Sequence, residues 1–150
     1  MPITQVARLF LGLRRPRHDL VGTCLSGEIV ATGPNVTRFQ VGDAVFGLAG
    51  MHFGANASHI CLSETDVLMP KPASLSHEEA AVMADGPLTS LNFLREVAGL
   101  RPGQKVLILG ASGSLGSAAV QIAAAMGAEV TGTCSSRNVG MVAALGADRV

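Results

Sequence analysis

The sequence predicts an α/β protein in two parts, short β-strands first and then the opening of a doubly wound parallel sheet. Three observations predict it. Residues 20–73 carry brief apolar runs broken by Gly and Pro. From Ser76 onward, helical periodicity alternates with strand-length apolar runs. Within that second part, Val106-Leu-Ile-Leu-Gly-Ala-Ser-Gly-Ser-Leu-Gly116 sets three glycines, spaced three apart, directly after an apolar run.

Taken in order, a strand is expected over 27–33, followed by turn chemistry at Gly33-Pro34-Asn35, where Pro fixes φ and Asn tolerates left-handed geometry. Further strands are expected over 36–41 and 44–48, parted by Gly42-Asp43. A weakly alternating segment covers 55–62, and Val67-Leu-Met-Pro70 ends another strand. Many short strands of this kind point to a barrel or sandwich. Ser76-His-Glu-Glu79 is a capping box and opens a helix running to Ala84. Gly86-Pro87 interrupts, and a second helix runs to about Ala98. A strand follows over 105–109, then a helix over 114–126 with Leu115, Ala119, Ile122 and Met126 as its buried stripe. Residues 129–134 form the next strand and 138–145 a helix closed by Gly146, and Asp148-Arg149-Val150 starts another strand. Two and a fraction strands make a poor parallel sheet. The chain is therefore read as a piece of a longer protein, the alternative being a truncated product stabilised by association.

Composition narrows the function classes. The 150 residues carry no net charge, only 15% are charged, and five Phe are the sole aromatics. Nucleic-acid binding, which needs clustered Lys/Arg and often stacking aromatics, has little support. Cys24, Cys61 and Cys134 stand far apart, which suits neither a zinc ribbon nor a disulfide framework and fits a reducing compartment. No apolar run reaches a membrane span. Arg8, Arg14, Arg15 and Arg17 flank a short apolar stretch that is too brief for a secretory signal. The charges from Arg14 to Arg17 are read as a solvated loop beside the cleft of a cytoplasmic protein, with an organelle transit peptide as the alternative for the Arg-rich start.

Gly110, Gly113 and Gly116 sit between an apolar strand and an amphipathic helix, the context in which backbone N–H groups face a dinucleotide pyrophosphate. Gly110 allows the sharp turn, Gly113 the approach of phosphate oxygens, and Gly116 tight helix–strand packing. Ser112, Ser114 and Leu115 complete the predicted phosphate-binding stretch. The bland reading is a packing turn. The next strand ends in Thr133-Cys134-Ser135-Ser136-Arg137. An NAD site usually places Asp or Glu there, and none lies between Val130 and Ala147. Ser135, Ser136 and Arg137 instead suit a ribose 2′-phosphate, so NADP(H) is expected over NAD(H). The alternative for Arg137 is a solvated helix start.

These residues resemble the medium-chain dehydrogenase/reductase superfamily, specifically its zinc-independent quinone oxidoreductase-like branch, often labelled NAD(P)-dependent alcohol dehydrogenases. Gly33-Pro-Asn-Val-Thr-Arg-Phe-Gln-Val-Gly-Asp-Ala-Val-Phe-Gly47 is similar to that family's G-x-N-V-x-x-F-x-V-G-D-x-V-F-G segment, and Gly54-Ala-Asn-Ala-Ser-His59 to its G-A-x-A-E-Y strand. Pro70-Lys-Pro72, Leu88-Thr89-Ser90 and Pro102-Gly-Gln-Lys-Val106 follow in the family's order. The resemblance implies a partial GroES-like β-barrel catalytic domain over 1–85. It implies the first half of a Rossmann NADP-binding domain over 86–150. Thr89 is implied beside the nicotinamide or phosphate of the cofactor, and the full-length protein is implied to be a homodimer.

Zinc-using relatives carry G-H-E-x-x-G, which aligns with Gly22-Thr-Cys-Leu-Ser-Gly27, so Thr23 and Cys24 stand at the His and Glu positions. A further ligand position falls on Asp85. One carboxylate is not a catalytic zinc site, which takes three protein ligands. Cys24 is read as a small buried hydrophobe rather than a polar cleft group, and His52 and His59 as core or surface histidines. The implied activity is hydride transfer from NADPH to a small-molecule electrophile such as a quinone, an enone or a related carbonyl, with no catalytic acid assigned. The rivals are a zinc-dependent alcohol dehydrogenase and a non-catalytic NADP(H)-binding protein.

Overall fold

Backbone donors decide where the strands of this chain begin and end. The computed structural model describes residues 20–150, so the N-terminal arginines lie outside the described residues. The chain divides into two compact units, Met1–Ala81 and Val82–Val150.

In the first unit, β1 (Cys24–Glu28), β2 (Ala44–Leu48) and β3 (Val67–Pro70) form an antiparallel sheet in the order β1-β2-β3. Ser26 pairs with Phe46, and Phe46 in turn with Met69. Phe39, Val45 and Leu68 are its buried core. Among the described residues no sheet closes on itself.

Three sequence expectations change here. The strand expected over 27–33 is β1 at 24–28, extended only by the paired bonds Ile29 N–H to Asp43 O and Gly42 N–H to Ile29 O. The expected strand over 36–41 is a loop, because the Thr37 and Arg38 N–H groups are both spent on the Glu64 carboxylate, 2.9 Å each. Residues 55–62 form no strand, and the Ala55 and Asn56 amides pair with Gly22 and Val21 carbonyls instead.

Arg38 completes the clamp. Its guanidinium donates to the carbonyls of Glu64 (2.8 Å) and Leu68 (2.6 Å) and lies 4.9 Å from the centre of the Phe39 ring. The capping box forms as expected: Ser76 N–H donates to the Glu79 carboxylate at 2.9 Å, and Glu79 N–H donates to Ser76 Oγ at 3.2 Å. These bonds open α1 (His77–Met83).

The second unit begins its regular structure with α2 (Gly86–Asn92), which runs into a π-helical turn at Phe93–Val97. Then come β4 (Lys105–Leu109), α3 (Ser114–Ala125), β5 (Glu129–Thr133), a 3₁₀ turn at Ser136–Asn138 and α4 (Val139–Ala144). β4 and β5 pair in parallel from Lys105↔Glu129 to Leu109↔Thr133. Arg149 bridges Thr131 in parallel, so β5 is paired on one side by β4 and on the other by this single bridge. Ile108, Val120, Val130 and Val142 lie at the centre of the core.

Of the expected stripe of α3, Ala119, Ile122 and Met126 pack half-buried against the core, while Leu115 is 45% exposed; the fully buried positions are Gly116, Ala118, Val120 and Ala123. Gly116, Ala118 and Ala123 let this helix approach the strands closely, with Val120 filling the centre of the packed face. The apolar run of β4 predicts burial on both faces, yet Leu107 and Leu109 are 60% and 74% exposed. Among the described residues no helix is long and apolar enough to cross a membrane.

The Glu64 clamp has a pH signature. Backbone hydrogen bonds from Arg38 and Thr37, with the Arg38 charge adding to them, hold this carboxyl below its ordinary value. A group depressed in the folded state contributes stability that is present above its unfolded pKa and lost as pH falls through the folded one. Thermal melts of Glu64→Gln are therefore expected below wild type at neutral pH, with the gap closing as pH falls through and below the carboxylate range. An unchanged gap across that range would rule out the charge as its source.

Candidate functional site

The site is assembled at the carboxyl edge of β4 and β5. Leu109 pairs with Thr133, and the Ala111 N–H then donates to Thr133 O at 2.8 Å. That bond holds the turn after β4 beside the segment after β5, where crevices of open parallel sheets take ligands. Gly110 turns the chain with φ +69°, a conformation side chains rarely adopt. Gly113 N–H closes the turn on Gly110 O at 2.9 Å.

Helix α3 starts from Gly113 at φ −81°, ψ 174°, a cap with no side-chain acceptor. The first helical bond runs from Ser117 N–H to Gly113 O at 2.8 Å. The amides of Ser114, Leu115 and Gly116 therefore have no backbone partner among the described residues. They point out of the N-terminus of a twelve-residue helix, where its dipole favours an anion. Gly116 is required by contact: a Cβ there would overlap Gly110 O and lie 2.8 Å from Ala111 Cα.

Across the edge, Ser135, Ser136 and Arg137 are exposed. Ser135 Oγ makes no capping bond, and Arg137 has no ion pair among the described residues. Two hydroxyls and a guanidinium are thus left uncommitted beside the glycine turn. Ser112 is half-buried within that turn. Thr89, half-buried on α2, shares a helical face with Gly86, three residues earlier, and Gly86 lies against Ser114. The donor set fits the phosphates of a nicotinamide dinucleotide, because unpaired amides at a helix N-terminus and a guanidinium favour an anion.

The remaining sequence candidates fall elsewhere. Asp85 is exposed at the cap position of α2 without capping it. Thr23 and Cys24 are half-buried neighbours, with Oγ1 and Sγ 3.8 Å apart. His52 and His59 are exposed, the latter 3.3 Å from Ser58 Oγ. Among the described residues no three His, Cys, Asp or Glu side chains gather to hold a metal ion.

Two polar arrangements escaped sequence reasoning. Ser90, 4% exposed, donates from Oγ to Leu115 O at 2.8 Å. The signal was there in Gly86 and Ser90, small residues four apart on one helix. In the first unit, an open groove of about 1010 Å³ contains Ser26 and His77. Ser26 Oγ lies 3.0 Å from Val45 O and 2.8 Å from His77 Nδ1.

Fold and turn together define an α/β protein with a strand–glycine turn–helix unit of the dinucleotide-binding type. No protein-family model matches the chain. It is 43% identical over 160 aligned positions to the dehydrogenase pigH of Monascus ruber, covering 95% of this chain and 43% of that protein. The quinone oxidoreductase of Coxiella burnetii superposes with a TM-score of 0.84 at 33% identity, covering 96% of this chain and 44% of that one. The JamJ enoyl reductase does so with a TM-score of 0.84 at 32% identity, covering 99% and 44%. The chain belongs to the medium-chain dehydrogenase/reductase superfamily, among its quinone oxidoreductase and alcohol dehydrogenase relatives. It spans less than half the length of each of the three proteins compared.

The turn geometry sets apart two glycines of this unit. Gly116→Ala is expected to destabilise by about 1–3 kcal/mol, because its Cβ must displace backbone. Gly140→Ala, on α4 with nothing within 4 Å of an added Cβ, is expected to stabilise by about 0.5–1 kcal/mol. Denaturant unfolding of both variants checks the pair, and equal effects would contradict the packing role of Gly116.

Proposed function

We propose that the whole protein is an NADPH-dependent oxidoreductase that reduces a small electrophile, a quinone, an enone or a related carbonyl, without zinc. The observation that supports it most is the convergence of three unpaired amides and an uncommitted arginine at one strand edge. Ser112, Gly113 and the amides of Ser114, Leu115 and Gly116 would hold the pyrophosphate, with Gly110 giving the backbone its close approach. Ser135, Ser136 and Arg137 would take the 2′-phosphate, and Thr89 the nicotinamide side. When bound, the cofactor supplies a hydride, while the protein binds, orients and shields it.

A quinone oxidoreductase and an enoyl reductase among the structural neighbours are in keeping with these substrate classes. We read the first part of the chain as a piece of a GroES-like barrel and the second as the first half of a Rossmann sheet, with the domains divided near 85–86. The zinc-free reading rests on Thr23 and Cys24 standing where zinc-using relatives have His and Glu.

Arg137→Ala in the whole protein is expected to raise the NADPH dissociation constant about 10- to 100-fold, the value of one charge-assisted hydrogen bond of about 1.5–3 kcal/mol, and to leave NADH binding unchanged. Titration calorimetry with both cofactors checks it, and unchanged NADPH binding refutes the 2′-phosphate assignment. Metal analysis of the purified protein is expected to show no stoichiometric zinc, and one zinc per chain would overturn that part of the proposal.

A further inference from the structure

We propose that Ser90 is a positioning residue that aims the Gly116 amide at the bound pyrophosphate, an inference resting on the reading of the glycine turn as a cofactor site. Ser90 is buried on α2 and its hydroxyl donates to Leu115 O at 2.8 Å. Leu115 O belongs to the same planar peptide unit as the Gly116 N–H, and the two groups point in opposite directions. Drawing the carbonyl toward α2 therefore fixes the direction of the Gly116 N–H, one of the three amides left without a backbone partner. A carbonyl that accepts a hydrogen bond also makes its own amide a stronger donor.

The carbonyl does not need Ser90 for its own satisfaction, because the helix supplies the N–H of residue 119. Removing the hydroxyl consequently leaves no orphaned group on Leu115 and alters mainly direction and polarisation.

Packing around the bond is tight enough for this to act. A Cβ on Gly86 would lie 2.6 Å from Ser114 Oγ and 3.2 Å from Ser114 O. Gly86 and Ser90, one turn apart, thus seat α2 directly on the first turn of α3. Thr89 is carried on the same helix, so one hydroxyl fixes both the amide donor and the placement of Thr89 relative to it.

The test compares Ser90→Ala with wild type in the whole protein. NADPH binding by titration calorimetry is expected to weaken about five- to tenfold, the value of one hydrogen bond of about 1–1.5 kcal/mol. The KM for NADPH is expected to rise while kcat stays unchanged. In the cofactor-free protein the Gly116 amide proton is expected to move upfield, the direction of a weakened donor, which a merely structural role would not require. Should Ser90→Ala lose its fold, Ser90→Cys, close in volume with a weaker donor, gives the same comparison. Wild-type affinity in the variant that folds, with an unmoved Gly116 resonance, overturns the inference alone. Failure of the wild-type protein to bind NADPH overturns the cofactor reading and this inference with it.

Discussion

The parallel, in-register pairing of β4 with β5 is the constraint on which the site depends. Parallel strands must be joined by a crossover, and α3 is that crossover. Once Leu109 pairs with Thr133, the two strands end side by side, and the Ala111-to-Thr133 bond carries the pairing one residue into the turn. Two segments some twenty residues apart then share one edge. Shifting the register by two residues would keep every side chain on its face and still separate the glycine turn from Arg137.

The second constraint is closeness. Gly116 sits against the Gly110 carbonyl, Gly86 against Ser114, and Ala118 and Ala123 fill the face of α3 toward the core. Small residues at helix crossings trade buried area for short distances. Here the short distances position backbone, which supplies the donors of the proposed site. Leu115 is left half-exposed in the first turn, where its neighbour Gly116 takes the buried position against the Gly110 carbonyl.

The first unit solves a different problem. Its loops carry amides that a longer sheet would have paired, and the Glu64 carboxylate takes two of them while Arg38 bonds two carbonyls across the same gap. Side-chain ions thus replace a strand pairing in satisfying the backbone. Sequence periodicity could not distinguish the two solutions, because Val36, Phe39 and Val41 read as a strand whether their neighbours' amides meet a carbonyl or a carboxylate.

What could be read directly was everything set by local chemistry. The capping box at Ser76 and Glu79, the strand at 44–48, the glycine turn with its flanking strand and helix, and the helix stop at Gly146 follow from the conformational limits of Gly, Pro and the capping residues, and those limits act over a few positions. What only the tertiary structure decided were the pairings over long separations: the bond of Ser90 to Leu115, the Glu64 clamp on Thr37 and Arg38, and the buried face of α3. A serine or a glutamate reads the same in sequence whether it meets water or a carbonyl twenty-five residues away. Its partner is chosen by the packing of elements, and that choice is absent from the local pattern.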